Sequence, residues 1–315
     1  MKTTQITNFR LDNKIQGFFL CREKHLRYTR SGDLFIDLVL QDSSGRIPAK
    51  IWDMVENYLD RFQQNDPVAI KGLVTEFNGI LQLTVNQINF ATKEQYGKYG
   101  YNPRQLVPSV EEPIDLLEKK LVKLVDKVKN QKLKTLLNRI LRKFRNELIS
   151  LPASISHHHP VQGGLLKHIV SSGEIAVFLG GHFKDIDQGL LLTGILLHDI
   201  GKVHCINQGM NFDHTDNGKL IGHMIHGWDI VRREIEKIKG FPSNLSIKLE
   251  HMILSHKGYP FRESPIQPKF PEALLISIID EMDGKMDLIN RDISEDNNDD
   301  WTTSQNHFRT QLWKK

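Results

Sequence analysis

Cysteine is scarce in this 315-residue chain. Only Cys21 and Cys205 occur, too few for a disulfide framework or a Cys-pair metal site, and the shortage suits a reducing, cytoplasmic compartment. Long apolar runs are missing too: no stretch reaches the ~18 residues of a membrane span, and the first residues, Met1 to Asn8, lack the apolar core of a signal peptide. Nor does charge of one sign dominate, since 42 Lys and Arg face 38 Asp and Glu for a formal net charge of +4. A basic surface must therefore come from local clustering. What is present, 39% hydrophobic and 25% charged residues, is the make-up of a soluble chain with real cores, and the length predicts two domains.

Within a first domain of residues 1–91, the stretch from Asn13 to Ala91 is patterned with a period of two. Leu34, Ile36, Leu38 and Leu40 alternate with Phe35, Asp37 and Val39; after the turn Gln41 to Gly45, Ile47, Ala49 and Ile51 alternate with Pro48, Lys50 and Trp52. A short helix from Met54 to Phe62, strands at 67–75 and 80–89 joined by Asn78-Gly79, and a first strand near 15–21 complete five strands, with the helix between the third and the fourth. That order is the one an OB-fold barrel requires. If the apolar set faces inward, Phe35, Lys50 and Trp52 face outward on strands two and three, where such barrels bind oligonucleotides. Arg22, Lys24, Arg27, Tyr28 and Arg30, in what reads as the loop before strand two, add a basic and aromatic mixture suited to single-stranded nucleic acid.

Residues 92–112 carry Gly, Tyr, Pro and Lys without periodicity and read as a linker. From 113 to 295 the spacing is helical, opened by an apparent capping box, Ser109-x-x-Glu112, and by apolar residues such as Leu117, Leu121, Leu124 and Leu136, Leu137, Ile140 at helical intervals. Residues 296–315 read as a polar, loosely ordered tail in which Trp301, Phe308 and Trp313 are candidates for docking on a partner subunit, leaving a homo-oligomer open.

Twelve of the 14 histidines fall between Ser150 and Asn290. The stretch Gly189 to Lys202 begins as a nearly uniform apolar helix and ends on His198-Asp199, two polar groups that are costly to bury without partners. Alone, such a pair is commonly a hydrogen-bonded structural feature. A divalent cation would compensate both groups at once, and Asp280, inside the apolar run Ala273 to Ile279, poses the same problem. Lys202 lies four residues past His198, and would share its face if the helix continued.

These residues resemble the HD phosphohydrolase superfamily, helical metal-dependent hydrolases of phosphate esters. His168, His198-Asp199 and Asp280 are similar to its defining metal ligands; Gly222-His223 and Ser255-His256-Lys257-Gly258 are similar to the further histidines of its dinuclear branches. The words His157-His-His159, Gly163-Gly-Leu165, Gly218-Lys-Leu-Ile-Gly-His223, His251-Met-Ile-Leu-Ser-His256 and Pro271-Glu-Ala273 resemble the YhaM-type 3′→5′ exoribonucleases, which also place an OB-fold first. The resemblance implies an all-β OB-fold barrel followed by an all-α HD-type phosphohydrolase domain, acting on single-stranded RNA, with single-stranded DNA as a further candidate. It implies His168, His198 and Asp280 on one ion, His223 and His256 on another, Asp199 bridging, Lys202 on the scissile phosphate, and His251 supporting the ligands from behind. Two ions roughly 3.5–4 Å apart would supply a nucleophile and relieve leaving-group charge. Mixed imidazole and carboxylate ligands suit Mn²⁺, Fe²⁺ or Zn²⁺, with Mg²⁺ also admissible, and the resemblance tips the choice to Mn²⁺. Lys257 stands where a second histidine is expected, which leaves the ligand count at the second ion open. A nucleotide or cyclic-nucleotide phosphohydrolase with a regulatory OB module is the alternative.

Overall fold

A computed structural model describes residues 5–209, 212–258 and 264–315. The chain forms two compact units, Met1–Ser109 and Val110–Lys315.

In the first unit β1 (Lys14–Tyr28), β2 (Leu34–Asp42), β3 (Gly45–Ile51), β4 (Pro67–Phe77) and β5 (Ile80–Phe90) close into a barrel in the order β1-β2-β3-β5-β4, with helix α1 (Val55–Tyr58) between β3 and β4. Closure comes from parallel pairing of β3 with β5, Ala49 opposite Leu83. Ile36, Leu38, Leu40, Ile47, Ala49 and Ile51 are all buried in its core, so the period-two register sets the faces. β1 is longer than its apolar part implies. Past a bulge at Cys21/Glu23 it pairs with β2 as far as Tyr28 opposite Leu34, so residues 22–28, expected as a loop, are strand.

The expected linker is also structured. Thr92 caps the short helix α2 (Lys93–Tyr96), Tyr96 and Tyr101 set their rings against Phe18, and Leu106 and Val107 are buried. Residues 92–109 therefore belong to the first unit, because their scattered aromatic and aliphatic side chains pack without needing a period.

The second unit is built from α3 (Ile114–Asp126), α4 (Gln131–Lys143), α5 (Arg145–Ser150), α6 (Gly164–His182), α7 (Gln188–Leu197), α8 (Lys202–Cys205), α9 (Asp216–Leu220), α10 (His223–Glu236), α11 (Ser243–Ser255) and α12 (Pro271–Glu295). The capping box does not form: α3 starts after Pro113, and Glu112 instead accepts from Lys120 and Lys167. At the centre lies α7, capped by the Asp187 carboxylate on the Leu190 amide and packed against α3, α4, α6, α11 and α12. Its Leu190, Leu191, Ile195, Leu196 and Leu197 are completely buried, each worth ~1.5–3 kcal/mol. No helix among the described residues is long and apolar enough to cross a membrane.

Residues 296–315 are held rather than loose. Asp296 accepts the amides of Asn298 and Thr303, Asp292 accepts from the His307 amide and ring, and Trp301 bridges to Trp313. Cys21 and Cys205 are free and buried, and burial pushes their thiols up to about 12 and about 11.

Candidate metal centre and nucleic-acid face

Three helix ends and two helix interiors converge in the second unit. α6 brings His168, the end of α7 brings His198 and Asp199, α10 opens on His223, α11 closes on His256, and α12 carries Asp280. The approach of α10 depends on Gly201, where a Cβ would lie 1.8 Å from the His223 carbonyl oxygen. Any larger residue there would drive His223 away from Asp199.

Three rings are fixed so that Nε2 faces the centre. His198 Nδ1 donates to the Ile195 carbonyl at 2.6 Å and His256 Nδ1 to the Ile253 carbonyl at 2.7 Å; His168 Nδ1 lies 2.7 Å from the Asp283 carboxylate. A carbonyl only accepts, so in the neutral rings the proton is on Nδ1 and Nε2 presents a lone pair. These lone pairs crowd one another. His168 and His198 bring their Nε2 atoms to 3.1 Å, and His223 and His256 to 3.3 Å. Such contacts repel unless positive charge lies between them.

The carboxylates complete two groups that share Asp199. Its Oδ2 lies 3.5 Å from His168 Nε2 and 3.4 Å from His198 Nε2, with Asp280 Oδ1 3.3 and 3.6 Å from the same nitrogens. Its Oδ1 faces the other pair, 3.5 Å from His223 Nε2 and 3.6 Å from His256 Nε2. Asp199 Oδ1 and Asp280 Oδ1 are buried with no hydrogen-bond partner, a state that costs ~1–3 kcal/mol per group, more when charged. Converging lone pairs and orphaned carboxylate oxygens are what a pair of divalent ions would satisfy, so the residues present fit that group. Burial opposes the charge on His198, but Asp199 and Asp280 outweigh it and raise the ring to about 9. A proton there stands where a cation would compete for the same lone pair.

The side chains around the donors are as ordered as the donors themselves. Asp283 accepts from His168, from the Ser171 hydroxyl and from His159 at 3.1 Å. Burial works against its charge, yet the hydrogen bonds from His159 and His168 hold its carboxyl well below the usual range. Asp283 and Ser171 escaped the sequence reading because an acid on an amphipathic helix reads as a solvated face. Its spacing was the available signal, since Asp283 follows Asp280 by three residues and so shares its side of α12. His251, expected behind the ligands, is elsewhere: its Nε2 accepts from the Lys269 amide and its ring lies on Phe270. Its five-residue offset from His256 turns it off that face.

Lys202 Nζ donates to Asp199 Oδ2 at 2.5 Å and Lys257 Nζ to Asp280 Oδ2 at 2.8 Å. Lys202 reaches Asp199 at i,i+3, because α7 ends at Leu197 and the chain turns before α8. Both ammonium groups line a cleft of about 750 Å³ with His158, His223 and Asp280, within the ~300–1,000 Å³ of ligand pockets.

On the barrel, Trp52 is exposed, while Phe35 is buried beneath it in a stack with ring centroids 4.7 Å apart. Lys50 Nζ lies 5.3–5.4 Å from the Phe35, Trp52 and Phe77 rings. The outward platform is therefore Trp52 and Phe77, with Phe35 as its support, and Phe77 was masked by its place beside the Asn78-Gly79 turn. Tyr28, Arg27 and Arg30 are exposed, with Arg27 3.1 Å from Asp37. Lys24 and Arg22 are committed inside the unit: Lys24 Nζ donates to the Leu59 and Phe62 carbonyls, both at 2.6 Å, and Arg22 Nε donates to Gln41, which also accepts from Arg46.

A closed barrel with an aromatic and basic face, and a helical unit with a shared-aspartate donor cluster, define a class that the comparisons match. Residues 165–285 match the HD domain family and residues 21–91 the OB-fold nucleic acid binding domain family. The chain is similar to the 3′-5′ exoribonuclease YhaM of Oceanobacillus iheyensis, 29% identical over 294 residues that cover 89% of this chain and 87% of the relative. Among solved structures it is similar to the second OB-fold domain of replication protein A from Methanococcus maripaludis (15% identity, TM-score 0.26, 29% of this chain and 97% of that one). Another is the single-stranded DNA binding protein from Thermus aquaticus (17% identity, TM-score 0.23, 25% of this chain and 40% of that one).

Proposed function

We propose that this chain is a metal-dependent 3′→5′ exoribonuclease that shortens single-stranded RNA, and single-stranded DNA as a further substrate, to nucleoside 5′-monophosphates. The observation that carries the reading is Asp199, one carboxylate whose two oxygens face two different imidazole sets, in a chain similar to YhaM over most of both lengths. Divalent ions, with Mn²⁺ favoured by the family resemblance, would be held by His168, His198, Asp199 and Asp280 on one side and Asp199, His223 and His256 on the other. When bound, such a pair supplies an activated water at neutral pH and charge relief at the leaving oxygen.

The chain's own residues do the rest. Asp199 sets the spacing of the two groups, and the backbone carbonyls of Ile195 and Ile253 fix the rings that face it. Lys202 and Lys257 place positive charge along the cleft, where the phosphate of a terminal nucleotide fits. The barrel face holds the strand by stacking and charge rather than by reading bases, so sequence preference is expected to be weak.

The test is incubation of Mn²⁺-loaded protein with 5′-end-labelled single-stranded RNA and DNA. A ladder shortening from the 3′ end with release of 5′-monophosphates is expected. Internal cuts, or hydrolysis confined to nucleotides or cyclic nucleotides, overturn the exonuclease reading in favour of a phosphohydrolase with a regulatory barrel.

A further inference from the structure

The loop between α5 and α6 is held by one residue in an unusual state. His159 has φ of 43°, in the left-handed region that bulky side chains avoid. Every polar group it owns is engaged. Its amide donates to Asp287 at 2.6 Å, its ring nitrogens lie 3.0 Å from Asp287 and 3.1 Å from Asp283, and its carbonyl accepts the Ala153 amide. The next helix crowds that carbonyl so closely that a Cβ on Gly164 would sit 2.1 Å from it. Backbone strain persists only where the surroundings over-determine it, and it concentrates at functional sites.

What the anchor fixes is the residue before it. His158 is turned toward the donor cluster, with its ring centroid 4.9 Å from that of His168. Its Nε2 is buried and has no hydrogen-bond partner. One ligand-type atom from each of His158, His168, Asp199 and Asp280 lies within 4.8 Å of all the others. Buried imidazole nitrogens are ordinarily satisfied, because an unmet one costs ~1–3 kcal/mol. A nitrogen held unsatisfied, by strain, among two carboxylates and another imidazole is placed as a donor.

We propose that His158 Nε2 is a further ligand of the ion held by His168, His198, Asp199 and Asp280. The inference rests on the two-ion reading given above and deepens it: this half of the centre offers three imidazoles and two carboxylates. Such a nitrogen-rich set suits a first-row transition metal ion better than Mg²⁺. The His157-His-His159 run then has a division of labour, with His159 as anchor and His158 as ligand.

Mn²⁺ titration of the full, metal-stripped chain by calorimetry tests this without reference to turnover. Wild type takes up two ions. His158→Ala, and His158→Phe, which keeps a ring but has no donor, each weaken one of the two sites at least about tenfold and leave the other within about twofold. His157→Phe changes neither. Thermal melts of the stripped proteins, no lower in the variants than in wild type, show that the loss is not unfolding. If both His158 variants bind two ions as wild type does, the proposal is overturned and the two-ion reading stands. If wild type takes up no Mn²⁺, the two-ion reading fails and the proposal with it.

Discussion

On the barrel, Trp52, Phe77 and Tyr28 keep 40, 59 and 71% of their surface exposed, whereas in the helical unit His168, His198, Asp199 and His256 expose nothing. The two regions therefore fail differently when altered. An exposed stacking ring acts nearly alone, so removing it subtracts one increment of affinity. A buried donor shares partners with every other donor, and the effects of such neighbours do not add. The barrel face should respond to substitution by degrees and the cluster as a unit.

The largest departure is expected at the shared carboxylate. Asp199→Ala removes a group from both donor sets, and hydrolysis should fall by at least about 10²–10³-fold, while affinity for single-stranded RNA stays within about twofold. Gel-based nuclease assays beside filter binding separate the two. Substantial activity in this variant would sink the comparison.

Stability in the helical unit offers the next test. Glu234 on α10 is buried, accepting from Arg139 on α4 and from Lys143 and Lys237. Burial opposes its charge, but those three cations outweigh it and bring the carboxyl from 4.5 down to about 2. A depressed carboxyl stabilises the fold above its unfolded value and loses that contribution as pH falls toward the folded value. Glu234→Gln should therefore be about 2–3 kcal/mol less stable at pH 7, with the gap to wild type closing between pH 4.5 and about 2. Urea melts from pH 7 to below about 2 decide it, and a gap that keeps its full size below pH 2 would show that packing, not charge, is what Glu234 supplies.

How far each region is legible in the sequence follows from how local its signals are. Barrel faces are set by alternation, a property of adjacent residues, so Ile36, Leu38, Ala49 and Ile51 point where the period says. The extension of β1 to Tyr28 is not legible, because residues 22–28 carry no alternating apolar face and strand there depends on a partner, β2. Phe35 misleads for the same reason: its register is outward, but Trp52 covers it. In the helical unit, His198, Asp199 and Asp280 stand out as polar residues inside apolar runs, and the structure brings them together with His168, His223 and His256. Asp283 and the strain at His159 depend on contacts across more than 100 residues of chain, which no local pattern carries.

Trp52→Ala sharpens the barrel half of the comparison. Stacking on an aromatic side chain is worth ~1–3 kcal/mol per base, so oligonucleotide binding should weaken by roughly five- to 150-fold. KM on long substrates should rise while hydrolysis of a small phosphodiester is unchanged. Because Phe35 lies beneath Trp52, Phe35→Ala should weaken binding as well but also lower the melting temperature. Wild-type affinity in Trp52→Ala would remove the barrel face as the substrate platform.

The smallest effects concern the basic residues, and there the contacts separate what the sequence groups together. Arg30 is exposed, so Arg30→Ala should flatten the salt dependence of single-strand binding by about 0.7 in the log–log slope, one phosphate contact. Arg27 is 3.1 Å from Asp37, so part of its charge is already answered; Arg27→Ala should move the slope less, and Asp37→Ala should tighten binding. Lys24 differs in kind. Its ammonium closes the Leu59 and Phe62 carbonyls beyond α1 and sits 4.2 Å over the Phe62 ring. Lys24→Met should therefore leave the salt slope alone and lower barrel stability by about 1–3 kcal/mol, since two carbonyls lose their donor. A change of slope in Lys24→Met equal to that in Arg30→Ala would show that Lys24 leaves its carbonyls to meet the strand, and that the barrel's basic residues act as one pool of charge.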